Sequence, residues 1–461
     1  MKRVAPLLGL ICACSFTTAT GFNECNTDEE CGADRVCLQR YCIRLPPACQ
    51  RGTGTYSDAH RVAFAALLPL TDSPDGGAID ESEVANLNAL ELAIDEGNQR
   101  DGIKGRPFAL FVCNTGDDDA TLKAQATFMA NTLEVPAVVV SGSAAVISAA
   151  DVLTPHGSMV ISADATSPEL IGTYQSSQHL VWRTAPPDTL QAQVVAEQLT
   201  LMQQTQPSLA KIGIAYVDTT YGQGLADALQ MRLPASFTPK LTPYPRDGDP
   251  SGALTTLAAF SPNLTVLVAF PPDVISIVSG AKAHPTLTRL GGNQWFFTDA
   301  AKDPAILTPS ILSEIDQSYG TAPAQGAGTE FSAFRDRFEA KYMMDPENYG
   351  FTSHSYDAMY LLMLGAAYAA RDGGDVTGTR MADGFTRLSG GTTEIILSPD
   401  NFSLGVSALQ MGGTIDVKGS SSDLDLDYDS GCPASSSSPY ELWQIRDGGF
   451  VTDQIIEPMA N

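Results

Sequence analysis

From Arg61 onward the chain repeats one pattern: a continuous apolar run, a cluster of small polar residues, then apolar side chains at helical spacing. The runs include RVAFAALLPL, FALFVC, AVVVSG, SMVISA, KIGIAYV, LTVLVAF and QWFFTD. Continuous rather than alternating hydrophobicity is what a strand needs when both of its faces are covered. Between the first two runs, SEVANLNALELAIDEGNQ places Val84, Leu87, Leu90 and Ile94 at helical spacing. DDATLKAQATFMANTLE, AVISAADVLTPHG, QAQVVAEQLTLMQQ and GQGLADALQMRL read the same way. Such alternation predicts parallel sheets with helices on both faces, because right-handed crossovers return each strand parallel to its predecessor. The rhythm pauses at HLVWRTAPPDTLQ and restarts, so two α/β halves are expected. Near the end GTIDVKG and DLDLDYD alternate with period two. YELWQI and FVTDQI are expected to close as a hairpin around Asp447-Gly448-Gly449.

The carboxyl ends of the runs share a composition. They read PLTDS, VCNTGDD, VVSGSAA, ISADATS, YVDTTYG, AFPPD and FTDAA, rich in Ser, Thr, Asp, Tyr and Gly. Side chains this small and polar do not hold a core together. In doubly wound sheets the carboxyl ends of strands are where ligands bind, so these clusters are candidate site walls.

The N-terminus reads as a targeting segment, with Lys2 and Arg3 before the apolar VAPLLGLI. That run is far shorter than the ~20 residues a membrane-spanning helix requires. Ile11-Cys12-Ala13-Cys14 resembles a bacterial lipobox, with Ala13 as the small residue before a lipid-modified Cys14. The alternative is an ordinary secretory signal cut near Thr20. Either way export is expected. Five further cysteines, Cys25, Cys31, Cys37, Cys42 and Cys49, crowd a stretch with few large apolar residues, which calls for disulfide staples. Zinc is the rival, but the block holds no histidine and no paired C-x-x-C. The first four read as interleaved bridges, Cys25–Cys37 and Cys31–Cys42. Cys49, Cys113 and Cys432 then remain, an odd number, so one of them should be free.

Charge excludes some partners. The formal net charge is −26, about −28 once residues 1–13, with two basic and no acidic side chains, are removed. No basic stripe is present to neutralise phosphates, so nucleic acid is not an expected partner. Motifs for catalysis are missing: there is no G-x-S-x-G, no Walker lysine and no H-E-x-x-H. His60, His156, His179, His284 and His354 are scattered. Gly222-Gln223-Gly224 is half of a dinucleotide fingerprint without its third glycine. Asp423, Asp425, Asp427 and Asp429 suit one polar face of a strand better than a calcium loop. No catalytic residue, cofactor or metal is expected.

From about Arg61 to the C-terminus the order of motifs resembles the type I periplasmic binding proteins, in the branch that includes the leucine/isoleucine/valine-binding proteins of ABC transporters. AALLPLTD, ELAIDEGNQRDGIKGRPFALFV, ISADATSPEL, WRTAPPDTLQ, YVDTTYGQGLADAL and YGFTSHSYDAMYLL carry the resemblance over about 400 residues. It implies two α/β lobes joined by three crossovers and closing on a ligand. Ahead of the resemblance, the residues themselves divide into a signal peptide at 1–13, a Cys-rich module at 14–50 and a linker at 51–60. Lobe one would be 61–184 plus 320–428, and lobe two 185–319 plus 429–461. It implies ligand-binding roles for Ser143, Thr166, Tyr221 and Asp299, with Asp164 as a departure: the family's turn has Pro-Ala where this chain has Ala163-Asp164. The same residues also suit helix capping and packing. A second departure is Phe270-Pro271-Pro272, where amino-acid binders often carry tyrosines. The expected function is capture of a small polar metabolite, an amino acid or related compound, by a monomeric lipoprotein at the membrane or cell surface. The expected partner is an ABC permease. Rival readings are a receptor subunit that signals to a membrane sensor, and a surface interaction protein that acts through the Cys-rich module.

Overall fold

The computed structural model describes residues 24–326, 328–433 and 438–458. Its core is two sheets, each built of the apolar runs read above. The first has six strands: β1 (Cys49–Gly54), β2 (Val62–Leu68), β3 (Phe108–Asn114), β4 (Ala137–Val140), β5 (Met159–Ser162) and β6 (Val181–Arg183), in spatial order β1-β3-β2-β4-β5-β6. All pairings are parallel except β1 with β3. Helices α1 (Glu81–Gln99), α2 (Asp119–Asn131), α3 (Ser143–Leu153) and α4 (Leu170–Ser176) connect these strands. Then α5 (Asp188–Thr205) carries the chain into the second lobe.

The second sheet comprises β7 (Lys211–Val217), β8 (Thr238–Tyr244), β9 (Leu264–Val268), β10 (Gln294–Phe297), β11 (Tyr319–Pro323), β12 (Tyr440–Arg446) and β13 (Gly449–Ile456). Its order is β8-β7-β9-β10-β11-β12-β13, with β12 and β13 antiparallel. Helices α6 (Thr220–Arg232), α7 (Ser251–Phe260) and α8 (Pro271–Ala281) belong to this lobe. The hairpin turns where the sequence placed it. Arg446 faces Gly449, and Asp447 and Gly448 take φ of 53° and 77°, the two left-handed residues of a type I′ turn. β11 sits wholly in this second sheet, so the chain leaves lobe two after Pro323, whereas the sequence reading divided it at 319/320. The chain then returns to lobe one through α9 (Thr329–Tyr342) and α10 (Thr352–Ala369).

Every residue of α10 is buried. It packs closely against α1 at Gly97, where a Cβ would lie 2.6 Å from Met363 Sδ and force that side chain to shift. The crossovers run side by side and are bonded to one another. Arg183 N–H donates to Gly431 O at 3.0 Å, Ala324 N–H to Pro439 O at 2.9 Å, and Gln191 Nε2 to Thr321 O at 3.1 Å.

Two local expectations change. Residues 51–60 do not begin as a linker, because Cys49–Gly54 is an edge strand placing Cys49 directly opposite Cys113, to which it is disulfide-bonded. The period-two stretch DLDLDYD yields only a two-residue strand, Leu426–Asp427, since Leu424 at φ 51° breaks the extended chain. Asp423 pairs with Lys418 at 3.1 Å instead. The Cys-rich block follows its expected pairing, Cys25–Cys37 and Cys31–Cys42, around a small hairpin, and among the described residues Cys432 is the free cysteine, and it is buried. This block is docked on lobe one. Buried Asp28 pairs with Arg61 at 2.5 Å, and Arg51 Nη2 donates to Cys31 O at 2.9 Å. Cys12 and Cys14 lie outside the described residues. No helix among the described residues is long and apolar enough to cross a membrane.

Candidate functional site

Each sheet has a point where the strand order reverses. In lobe one it lies between β2 and β4, in lobe two between β7 and β9. The carboxyl ends at these points face each other across a cleft of about 240 Å³. Pro69, Ser141, Gly142 and Ser143 come from the first, and Thr219, Tyr221, Phe270 and Pro271 from the second. This is where open α/β sheets place ligands, and here two such crevices are combined.

Four of the five residues expected at the site line the cleft: Ser143, Asp164, Tyr221 and Asp299. Ser143 is the first residue of α3 and caps nothing in its own helix; its Oγ accepts from Ser167 N–H at 3.2 Å, joining two walls of the cleft. Tyr221, in the first turn of α6, donates to Asp299 Oδ1 at 2.6 Å, with Thr298 Oγ1 3.0 Å away. Burial raises the Asp299 carboxyl to about 6 even though the Tyr221 hydroxyl opposes the shift. Thr166 does not line the cleft. It is buried behind the turn facing Asp188, and its hydroxyl finds no partner in hydrogen-bonding geometry. Asp188 is pushed well up, first by burial and then by the charge of Asp299. The turn itself is pinned by Arg183, whose Nη1 donates to Ala165 O at 3.1 Å and Ser167 O at 2.8 Å.

Asp164 is engaged by the protein. Its carboxylate accepts from Gly142 N–H at 3.0 Å and Ser162 Oγ at 2.8 Å, and from Ser141 Oγ. Ser141 Oγ also lies 2.6 Å from Glu83 Oε1. One hydroxyl proton cannot serve two carboxylates at once. Burial, then the charges of Asp164 and Asp80, drives Glu83 well above the carboxylate range.

Glu83 and Asn86 are functional candidates that the sequence reading missed. Both sit in the first turns of α1, which starts at the carboxyl end of β2 and therefore over the cleft. Both are buried and line the cavity, and Glu83 Oε2 and Asn86 Oδ1 have no hydrogen-bond partner. The available signal was a carboxylate and an amide three residues apart, on the helix that follows the first strand.

Further acids line the walls: Asp80, raised to about 6 chiefly by burial, and Asp117, Asp118, Asp119 and Asp303. Two cations line it. Lys302 is buried against Glu441, and Arg246 pairs with Asp117 while lying 4.2 Å above the Phe270 ring. Arg246 follows β8 in lobe two and Asp117 follows β3 in lobe one, so this pair spans the cleft. Ser82 and Asp303 bridge it a second time.

A family model described as periplasmic binding protein matches residues 65–397. A chemotactic signal transduction system substrate-binding protein of Halobacterium salinarum is 25% identical over 404 residues, covering 86% of this chain and 90% of the relative. Two solved structures share the fold: a leucine-binding protein from Thermotoga maritima and a branched-chain amino acid transporter substrate-binding protein from Streptococcus pneumoniae, the latter in complex with isoleucine. Their identities are 14% and 16% and their TM-scores 0.67 and 0.66. Each alignment covers 86% of this chain, with 99% and 100% of the respective structure. With two lobes, a cleft between opposed switch points and a family match over most of its length, the chain belongs to the periplasmic binding protein family, a non-catalytic family, and is an extracytoplasmic solute-binding protein.

Proposed function

We propose that the protein captures a small polar, amine-bearing solute, an amino acid or related compound, and presents it to an ABC-type permease. The observation that carries this reading is the cleft between opposed switch points, lined from both lobes by hydroxyls and carboxylates. In this reading Ser143, Tyr221 and Asp299 touch the solute, while Asp164 and Thr166 support the turn that forms its wall. Closure is driven by the solute to the extent that it binds the closed state better. Transport is supported by the solved relatives, one of which is a branched-chain amino acid transporter substrate-binding protein in complex with isoleucine. The chain is tethered through a lipid on Cys14, in keeping with the lipobox-like Ile11–Cys14.

Thermal unfolding of the fragment from Asn23, stripped of bound solute, against a panel of amino acids and small polar compounds tests the reading. A solute at a hundred times its Kd adds about 2.7 kcal/mol. The shift should vanish in Asp299→Ala. Absence of any shift across the panel would refute capture.

A second reading keeps the clamp and replaces delivery by signalling. It is favoured by the Halobacterium relative, whose name places it in chemotactic signal transduction. A deletion strain that loses uptake of the identified solute supports delivery. One that keeps uptake and loses its behavioural response supports signalling.

A further inference from the structure

Resting on that reading of the cleft, we infer that its solute is a small organic cation, an amine or guanidinium compound, recognised without a carboxylate. Three independent observations carry this.

The first concerns the N-terminus of α3. A helix start is a natural anion site, but this one is supplied with an anion by the chain. Gly142 N–H donates to Asp164 Oδ1 at 3.0 Å, and the Ser141 and Ser162 hydroxyls donate to the same carboxylate. A solute carboxylate placed there would sit beside Asp164 and Glu83.

The second concerns the open valences. Glu83 is 9% exposed and Asn86 5%, and Glu83 Oε2 and Asn86 Oδ1, both on cavity-lining residues, have no partner. Two unsatisfied acceptors call for a donor. An ammonium offers three N–H groups and a guanidinium five, with no lone pair to clash with an acceptor. Such a cation would also favour the ionised form of Glu83, which burial disfavours.

The third concerns the absence of a counter-charge for an anion. Eight acids line the cleft with two cations, and both cations are engaged. Lys302 is held by buried Glu441, and Arg246 by Asp117 and the Phe270 ring. On the far wall Asp299 offers a second carboxylate, and Tyr221, Phe270 and Phe351 give ring surface for the body of a cation.

The test uses matched pairs that differ only by a carboxylate: 3-methylbutylamine with L-leucine, putrescine with L-ornithine, agmatine with L-arginine. Each is titrated calorimetrically into the exported chain at pH 7.5. The expected result is that at least one amine binds, tenfold or more tighter than its parent amino acid, and that Glu83→Gln weakens that amine at least tenfold. Asn86→Leu, which removes the other open acceptor, gives the same loss if the Glu83 variant does not fold. An amino acid that binds as tightly as its amine overturns the inference. So does an amine whose affinity neither variant changes. Binding of neutral sugars or aromatic acids with no amine or amino acid bound overturns it too, while leaving solute capture standing. Failure of every class of solute overturns capture itself.

Discussion

Arg246 closes the cleft mouth from lobe two, and its removal should make the clamp leak. Its guanidinium pairs with Asp117 of lobe one, at side-chain exposures of 33% and 44%, and lies 4.2 Å over Phe270. A pair this exposed is screened and contributes about 0.2–1 kcal/mol. The ring contact lies within lobe two and persists when the lobes part; it holds the guanidinium in the position that reaches Asp117. Arg246→Ala should therefore shift the closed–open equilibrium by about 0.2–1 kcal/mol, the share of the pair that spans the lobes, a factor of about 1.4–5. Because a bound solute leaves through the open state, its dissociation rate should rise by that factor while its association rate changes little. Stopped-flow tryptophan fluorescence after dilution of the complex reads this directly. The Asp117→Asn variant should give a similar rise, and in both variants the difference from the parent should fade in 1 M NaCl. An unchanged dissociation rate in Arg246→Ala, or an Asp117→Asn effect as large at high salt as at low, would refute the latch.

Other outcomes follow from the same geometry. Replacing Cys49 and Cys113 by serine frees a loop with a sequence separation of 64, and should cost about 4 kcal/mol in denaturant unfolding. His354 is buried, and burial holds its pKa down to about 3, so the native state binds fewer protons than the unfolded chain below the ordinary value of 6.5. Its contribution is intact above pH 6.5 and lost as pH falls towards 3; at pH 4.5 the loss is about 3 kcal/mol, and His354→Gln should show a shallower acid destabilisation than the parent. Asp299 ionises only above about 6, so affinity for an amine should fall as pH drops through that value. Tyr221→Phe removes a hydrogen bond that favours the carboxylate, and should move the fall to higher pH, as titration calorimetry across pH 5–8 would record. Metabolic labelling with a fatty acid should mark the full-length chain and not Cys14→Ala.

The strands were legible because parallel strands covered on both faces must be continuously apolar, and RVAFAALLPL or KIGIAYV can do little else. Four residues that line the cleft were legible for a related reason. They stand at the carboxyl ends of those strands, where polarity interrupts an apolar run. Glu83 and Asn86 were not, because on α1 they alternate with Val84 and Leu87, which are only partly buried, and look like the solvent face of an amphipathic helix. The packing rotates that face towards the cleft. Thr166 shows the converse: its motif marks the turn correctly, but Arg183 anchors that turn so that the hydroxyl faces Asp188 rather than the cavity. The edge strand at Cys49–Gly54 was hidden by its glycines, and only the partner Cys113, 64 residues away, gives it a register.

The stapled block at the N-terminal side is bonded to lobe one at three kinds of contact: the Cys49–Cys113 disulfide, the Asp28–Arg61 pair and the Arg51 bond to Cys31. There is no slack between it and the first sheet. Whatever holds the chain upstream of Glu24 therefore holds lobe one, and leaves lobe two as the half that swings. Closure becomes a change in the position of one lobe against a fixed one, and a pull on the N-terminus does not load the hinge. A membrane partner could then read occupancy from where lobe two comes to rest.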